Sequence, residues 1–260
     1  MSKEKISIIK IGGNIIENTE KLTAFLTLFS KINGPKILVH GGGKSATQLS
    51  QKLGIETKMI NGRRITDKDS LDVITMVYAG LINKNIVASL QSLNCDAIGM
   101  SGADAGSILS VKRPVKDIDY GWVGDVISVN TESISRLINT RITPVFCAIT
   151  HDGKGQLLNT NADTIAAELA IGLSEMYESH LYYCFELNGV LLDISDENSV
   201  IERITTDEYE KLLNQNLISD GMLPKLKNCF DAINKGVSKV YIGNENLFNQ
   251  TDKKFTTIQL

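Results

Sequence analysis

The residues in this sequence best suited to chemistry are glycines and a lysine that follow two apolar runs. Gly41–Gly43 follows the run 37–39 and precedes a helix-like pattern, while Gly12-Gly13 ends the run 6–11, which contains Lys10. Glycine N–H groups at a helix N-terminus bind phosphate or carboxylate well. If the two runs are neighbouring strands, the two turns suit a phosphoryl group that moves between a donor and an anionic acceptor.

Known phosphate motifs fit the second turn only in part. Gly43-Lys44-Ser45 matches the end of a P-loop, but that motif requires a glycine where this chain has Leu38. Residues 41–46 match the G-x-G-x-x-A pattern of dinucleotide-binding proteins, although Glu56 lies too close to be the usual ribose-binding acid. A dinucleotide-dependent oxidoreductase and a purely structural tight turn therefore remain alternatives at this point.

Three further segments carry charged or amide side chains next to predicted helices. Arg64, after Arg63, has the planar fork that binds both oxygens of a carboxylate. Asn161 is a natural N-cap, and the helix dipole alone explains Asp163 in the first turn that follows. Lys225 occupies a predicted first turn, where a cation is disfavoured unless an anion lies nearby.

The elements that must position these residues alternate along the chain, which predicts a mainly parallel sheet covered by helices on both faces. Ligands of such sheets bind beyond the carboxyl ends of the strands. Residues 107–130 instead favour a hairpin or lid. Strands are predicted at 6–11, 36–40, 95–100, 143–148, 181–185 and 238–242, and helices at 18–32, 44–53, 67–92 (with Thr66 and Asp69 as a capping box), 131–139, 162–173 and 221–235.

Composition narrows the class of protein. The 260 residues allow one large α/β domain, and the net charge of -3 argues against a nucleic-acid partner. No apolar stretch is expected to span a membrane, and no signal-peptide pattern is present, so a cytoplasmic location is expected. The four cysteines are widely spaced and predict reduced thiols rather than disulfides or a metal site.

Taken together, five motifs resemble the acetylglutamate kinases of the amino acid kinase family, in order from residue 6 to about 243. They are Lys10-x-Gly12-Gly13, Val39-His40-Gly41-Gly42-Gly43, Asn61-Gly62-x-Arg64-x-Thr66, Asn159-x-Asn161-Ala162-Asp163 and Asp220-Gly221-Met222-x-x-Lys225. The resemblance implies an open αβα sandwich in which approximately residues 1–175 bind the amino acid and 176–260 bind the nucleotide. It also implies phosphorylation of the side-chain carboxylate of N-acetyl-L-glutamate by ATP, with Mg²⁺ entering on the ATP, in arginine biosynthesis.

The resemblance also implies a role for each site residue. Lys10 and Lys225 would neutralise the phosphoryl group in transit, and Asp163 would hold both lysines. The N–H groups of Gly12, Gly13 and Gly41 would cover phosphate oxygens, whereas Gly42 and Gly43 would face the substrate. Arg64 would bind the α-carboxylate, and Asn159 and Asn161 would lie at the amide region of the substrate. No metal ligand is assigned to the protein itself.

Two departures from the family pattern leave alternatives open. Phe185-Glu186 stands where relatives have a small polar residue and Asp, so the ATP contacts are not assigned. Ala103 replaces a lysine common near residue 101, so the acyl end of the pocket can differ and N-succinylglutamate is an alternative substrate. A non-catalytic nucleotide or amino-acid sensor is the alternative from another class. Uridylate kinases usually lack the Asn-Gly-x-Arg segment, and aspartate kinases normally carry extra regulatory domains.

Assembly is the last expectation from the sequence. Arginine-sensitive relatives carry an extra N-terminal helix that links dimers into a hexamer, but here only residues 1–5 precede the first strand. Five residues are too few for a stable helix. A homodimer that arginine does not inhibit is therefore expected, with the helix 67–92 as its contact element.

Overall fold

The computed structural model describes residues 3–60, 62–193, 195–214, 222–248 and 254–260. Within these ranges the largest sheet has eight strands in the order β12-β14-β13-β11-β1-β2-β8-β5, and every neighbouring pair is parallel except β13 with β14. The strands of this sheet are β1 (Lys5–Ile11), β2 (Lys36–His40), β5 (Ala97–Met100), β8 (Thr143–Cys147), β11 (Glu178–Cys184), β12 (Arg203–Ile204), β13 (Lys239–Gly243) and β14 (Thr256–Ile258).

Smaller sheets and the helices complete the described fold. The hairpin β3 (Met59–Ile60) with β4 (Arg63–Arg64) stands alone, and β10 (Leu157–Asn159), β9 (Ile149–His151), β6 (Ile108–Lys112) and β7 (Gly124–Val129) form a second sheet in that order. The α-helices are α1 (Gly13–Glu17), α2 (Thr19–Ser30), α3 (Gly43–Lys52), α4 (Lys68–Thr75), α5 (Asn83–Ser92), α6 (Thr131–Asn139), α7 (Ala162–Leu173), α8 (Thr206–Asn214) and α9 (Leu223–Asn234).

The central strands are buried on both faces, as a helix-covered parallel sheet requires. All five residues of β2 are buried, and so are Ile6, Ile8, Ile9 and Ile11 of β1. β1 and β2 are parallel neighbours that pair Ile11 with His40. Both glycine turns therefore lie at the same edge of the sheet, and the predicted mainly parallel α/β fold is confirmed.

The predicted helix 67–92 is a continuous helix, Lys68–Ser92, with a wider π-helical turn at Met76–Ile82 between α4 and α5. The predicted capping box at Thr66 is wrong. Asp67 is the N-cap, and its side chain accepts from the N–H of Ser70. Thr66 is fully buried and its hydroxyl accepts a hydrogen bond from Asn159, so a tertiary contact uses the residue that the local pattern assigned to a cap.

The same helix corrects an expectation about membranes. By length and composition it could cross a bilayer, whereas no such stretch was expected from the sequence. Inside the fold, 44% of the apolar window is buried. The apolar residues Val73, Ile74, Ile86 and Leu90 belong to the hydrophobic core. A core helix of a soluble protein has the same composition, so packing in this fold accounts for the pattern.

The other predicted elements agree with the structure within a few residues. Residues 107–130 contain the antiparallel pair β6 and β7, so the predicted hairpin is confirmed. The helix predicted at 221–235 is observed as α9, Leu223–Asn234. Three motif residues, Asn61, Asp220 and Gly221, lie outside the described residues.

Candidate active site

Two cavities meet at the carboxyl ends of β1 and β2. The larger cavity has a volume of about 1080 Å³ and lies on the side of α3 and β4, and the smaller has about 450 Å³ and lies on the side of α9. Both volumes are typical of small-molecule sites. Among the described residues, those that line both cavities are Lys10, Gly13, Lys44 and Asp163. These residues mark the point at which the two cavities join.

The turn Gly41–Gly43 forms one wall of the larger cavity, and its middle residue must be glycine. Gly42 has φ = 151°, a conformation that side chains disfavour. A Cβ there would lie 2.3 Å from Ile82 Cδ1 and 3.0 Å from Tyr78 Cδ1. Both side chains come from the π-helical turn, which packs directly on the glycine turn. The long helix therefore fixes the path of the backbone at Gly42.

The other turn joins β1 to α1 and borders the smaller cavity. The N–H of Gly12 donates to the carbonyl of Cys184 on the neighbouring strand β11, at 2.9 Å. A Cβ on Gly12 would lie only 3.2 Å from that carbonyl oxygen, whereas one on Gly13 would meet nothing within 4 Å. Glycine at 12 thus allows the close approach of two strands, and Gly13 leaves its side of the turn open to the cavities.

An ion pair spans the junction between the cavities. Lys10 Nζ, on β1, lies 2.7 Å from Asp163 Oδ1, in the first turn of α7. The side chains are 11% and 30% exposed, so the pair is shielded but not sealed from solvent. The Oδ1 atom is itself buried, and apart from this ion pair it has no partner of hydrogen-bond geometry among the described residues. The hydroxyl of Tyr183 donates to the backbone carbonyl of Asp163, at 3.2 Å.

Lys225 reaches the same junction from α9, and an aromatic ring connects it to Lys10. Its Nζ lies 4.2 Å from the centre of the Phe185 ring, and Lys10 Nζ lies 5.1 Å from the same centre. Tyr183 stacks on Phe185, with centroids 5.8 Å apart. Cation–π contacts of this kind stabilise an ammonium without accepting its N–H groups. No carboxylate of the described residues lies within ion-pair distance of Lys225, so the expected contact of Asp163 with both lysines is observed for Lys10 but not for Lys225.

Arg64 places a nearly buried positive charge in the wall of the larger cavity. Only 8% of the residue is exposed, and its guanidinium donates to Thr57 Oγ1, Thr47 Oγ1 and the carbonyl of Gly43 at 3.0, 2.7 and 3.0 Å. All three acceptors are neutral, and no described carboxylate pairs with this residue. A buried cation without a counter-ion is costly, so this wall favours an anionic ligand.

The two asparagines of the cavity have different partners. Asn159 Nδ2 donates to Thr66 Oγ1 at 3.0 Å, which orients the amide toward the cavity. Asn161 Oδ1 accepts from the N–H of Thr164, so this side chain caps α7 as the sequence predicted. Both residues line the larger cavity, but the carbonyl oxygen of Asn161 is already used by the helix.

A buried histidine, which sequence reasoning did not assign, supports the glycine turn. His40 is fully buried, with Nδ1 2.9 Å from the carbonyl of Gly41 and Nε2 3.0 Å from Asn83 Nδ2. Asn83 Nδ2 also donates to the carbonyl of Val145, so both of its protons are directed at acceptors. His40 Nε2 therefore accepts, and Nδ1–H donates to Gly41. This tautomer is assigned from the hydrogen-bond network.

Protonation of His40 is expected to destabilise the fold. Burial lowers the pKa of His40 to about 4, whereas the unfolded value is about 6.5. Between these values the unfolded chain binds the extra proton, so stability is complete above about pH 6.5 and falls as pH drops toward 4. The difference corresponds to about 3 kcal/mol in the free energy of unfolding. We expect urea denaturation between about pH 7 and 5 to show this slope in the wild type and a smaller slope in His40→Asn.

The matched comparison in that experiment is necessary because His180 also has a lowered pKa, again from burial. Its contribution is present in both proteins and cancels in the difference. Equal slopes for the wild type and His40→Asn would show that His40 is not held neutral by the fold.

The segment around Ala103 and several nearby cationic residues do not lie at the junction. Residues 99–106, including Ala103, do not line the larger cavity, whereas Arg63 and Arg113 do. Arg113 forms a bidentate pair with Asp125, and Lys112 lies over the ring of Trp122 at 4.7 Å.

Among the described residues, no cluster of three or more His, Cys, Asp or Glu could hold a metal ion. All four cysteines are buried.

The parallel sheet, with two anion-directed cavities joined by lysines at the ends of its central strands, defines an α/β phosphotransferase. The sequence model of the amino acid kinase family matches residues 5–244. The chain belongs to the amino acid kinase family, and it is a kinase, as the motifs predicted.

Individual relatives place the chain within this family. It is 56% identical to an acetylglutamate kinase from Phocaeicola vulgatus over 92% of this chain and 93% of the relative. It is 57% identical to an acetylglutamate kinase from Cytophaga hutchinsonii over 92% of this chain and 91% of the relative. The solved structure of a carbamate kinase from Giardia lamblia bound to AMP-PNP covers 100% of this chain and 99% of its own, with a TM-score of 0.70 and 15% identity, and shows the shared fold.

Proposed function

We propose that this protein transfers the γ-phosphoryl group of ATP to the side-chain carboxylate of N-acetyl-L-glutamate, forming N-acetylglutamyl 5-phosphate in arginine biosynthesis. The observation that carries the proposal is the meeting of two cavities at Lys10 and Asp163. Relatives more than 50% identical are acetylglutamate kinases, which supports the choice of acceptor. Approximately residues 1–175 carry the amino acid, and approximately 176–260 carry the nucleotide.

The acceptor occupies the larger cavity. Arg64 has no carboxylate partner among the described residues and binds the α-carboxylate of the substrate. Asn159 is oriented by Thr66 and contacts the substrate amide, with Asn161 beside it. The N–H groups of Gly42 and Gly43 face the reacting carboxylate. These contacts fix the acceptor with its side chain directed toward the junction.

The reaction at the junction needs no general base. A carboxylate with a reference pKa near 4.3 is already ionised at neutral pH. One of its oxygens forms a bond to the γ-phosphorus, the bond from phosphorus to the β,γ-bridging oxygen breaks, and ADP leaves with that electron pair. No proton is transferred. The barrier is the approach of an anion to a polyanion, so catalysis is positioning together with charge stabilisation.

Two lysines and the two glycine turns provide that stabilisation. Lys10 and Lys225 approach the phosphoryl group from β1 and α9, and Asp163 holds Lys10 in place through the 2.7 Å ion pair. The N–H groups of Gly12, Gly13 and Gly41 contact phosphate oxygens. Mg²⁺ that enters with ATP would supply the remaining charge neutralisation. Asp163 and Glu186 line the smaller cavity, so carboxylate oxygens suited to this ion are present.

The proposal is tested by trapping the product. Acyl phosphates react with hydroxylamine to give a coloured hydroxamate, so ATP-dependent hydroxamate formation is measured with N-acetylglutamate, N-succinylglutamate and free glutamate. N-acetylglutamate is expected to have the highest kcat/KM. No product with any acceptor would overturn the kinase proposal. A ten-fold preference for N-succinylglutamate, about 1.4 kcal/mol, would instead make the succinyl substrate the correct one.

We also propose that the protein is a cytoplasmic homodimer that pairs through the long helix. Met76 and Leu81 lie on the outside of its π-helical turn and are 54% and 59% exposed. Isologous pairing about a two-fold axis would bury both side chains. The predicted absence of nucleic-acid and membrane partners, and of inhibition by arginine, remains a prediction.

Leu81→Glu is expected to give a folded monomer, because two such charges would face each other in an isologous contact. Light scattering measures the mass, and circular dichroism checks the fold. The matched control is Leu53→Glu, since Leu53 is similarly exposed, at 54%, but follows α3. A wild-type monomer, or a dimer that survives Leu81→Glu, would remove the long helix as the contact element.

A further inference from the structure

Lys44 is a charged residue of the junction for which the site described above has no role. It follows Gly43 in the first turn of α3, in the segment whose sequence resembles the end of a P-loop. It lines both cavities, a position shared among the described residues with Lys10, Gly13 and Asp163. The other three residues are all placed at the phosphoryl group by the proposed function.

Lys44 occupies a position on α3 that is electrostatically unfavourable for a lysine. A cation in the first turn of a helix opposes the helix dipole at a cost of a few tenths of a kcal/mol or more. The side chain is 64% exposed and could extend into solvent. Instead Nζ donates to Asn14 Oδ1 and lies 3.4 Å from Glu17 Oε2, both on α1. These contacts hold the ammonium across the gap between the two glycine turns.

The charge balance of the smaller cavity depends on Lys44. Its lining includes the cations Lys10, Lys44 and Lys225 and the carboxylates Asp163 and Glu186. Three positive charges against two negative charges leave a net charge of +1, and without Lys44 the balance would be zero. A cavity that receives a phosphate chain requires positive potential, and Lys44 supplies the excess.

We infer that Lys44 is a third catalytic cation of the phosphoryl transfer, an inference that rests on the proposed function. Its ammonium donates a hydrogen bond to a non-bridging oxygen of the γ-phosphoryl group while the bond to the carboxylate oxygen forms and the bond to ADP breaks. In the absence of nucleotide the ammonium contacts Asn14 and Glu17, and the phosphate then replaces both contacts without further need of either residue. The proton stays on Lys44 throughout, so the step adds no acid or base.

The test separates this role from a purely structural link between α3 and α1. Lys44→Met keeps the length of the side chain and removes its charge, and is expected to lower kcat about 10- to 100-fold. The KM for the amino acid should change less than about three-fold, because the contact forms with the phosphoryl group. Lys44→Arg should restore part of the loss. Glu17→Gln weakens the link while leaving Lys44 charged, and should keep kcat within about two-fold of the wild type.

A binding measurement gives a second readout. Calorimetric titration with Mg²⁺, ADP and fluoroaluminate, which mimics the phosphoryl group in transit, is performed in the presence of N-acetylglutamate. Lys44→Met should lose affinity for this mimic by about the same factor as kcat, with an unchanged melting temperature. A kcat within two-fold of the wild type, or an equal loss in Glu17→Gln, would overturn the inference. Since each value is a ratio to an active wild type, failure here is distinct from failure of the proposed function.

Discussion

Replacing Lys10 or Lys225 with alanine is expected to lower kcat by about 100-fold or more while changing the KM for the amino acid far less. Lys10 lies at the junction of the cavities and Lys225 lines the smaller cavity beside it, where charge accumulates only while the phosphoryl group is between donor and acceptor. Interactions that strengthen in the transition state affect kcat rather than ground-state binding. Steady-state kinetics with N-acetylglutamate varied at saturating ATP measures both parameters.

Matched controls for these two variants are present in the chain. Lys227→Ala removes a lysine from α9 that lines neither cavity, and Lys5→Ala removes one at the opposite end of β1. Neither should change kcat by more than about two-fold. If Lys10→Ala or Lys225→Ala raised KM and left kcat intact, the lysine concerned would bind the ground state and would not be catalytic.

Arg64→Lys is expected to raise the KM for the amino acid by roughly 10- to 100-fold, with a much smaller change in kcat. A lysine keeps the charge but loses the planar fork that binds both oxygens of a carboxylate, a difference of about 1 to 3 kcal/mol. The KM for ATP should be unaffected. The measurement is again a substrate titration at saturating ATP, with Arg136→Lys, in a surface ion pair with Glu132, as the control.

A complication is that Arg64 also stabilises its own surroundings. Its guanidinium bonds Thr47 and the carbonyl of Gly43, so the substitution could distort the glycine turn. Such a distortion would lower the melting temperature and would also reduce kcat, because Gly43 faces the reacting group. An unchanged KM would show that the α-carboxylate binds elsewhere.

The features that the sequence predicted most accurately are those determined by interactions between residues close together in the chain. The strand that contains Lys10 was predictable from an apolar run bounded by glycine. The helix Ala162–Leu173 was predictable from its N-cap asparagine. Both signals are local in the sequence. The sequence argument left the pairing of β1 with β2 as a condition, and the structure meets it with Ile11 opposite His40.

Features that depend on tertiary contact could not be predicted. The π-helical turn at Met76–Ile82 carries no sequence signature of its own, and it is recognised by its packing on Gly42. The two-residue strands β3 and β4 are too short to show a period, although they carry Arg64. The hydroxyl of Thr66 was assigned to a cap because the local pattern could not reveal Asn159, 93 residues further along the chain.

Phe185 departs from the family pattern, and its contacts with two lysines give this departure a physical consequence. The ring lies beneath the ammonium groups of Lys10 and Lys225, at a position where the family resemblance predicts a small polar residue. The aromatic ring has no ionisable proton and does not compete for the N–H groups of the lysines. Its contact with the two cations is therefore independent of pH. Lys225, which has no carboxylate partner among the described residues, therefore keeps its full charge for an arriving nucleotide, whereas Lys10 shares its charge with Asp163.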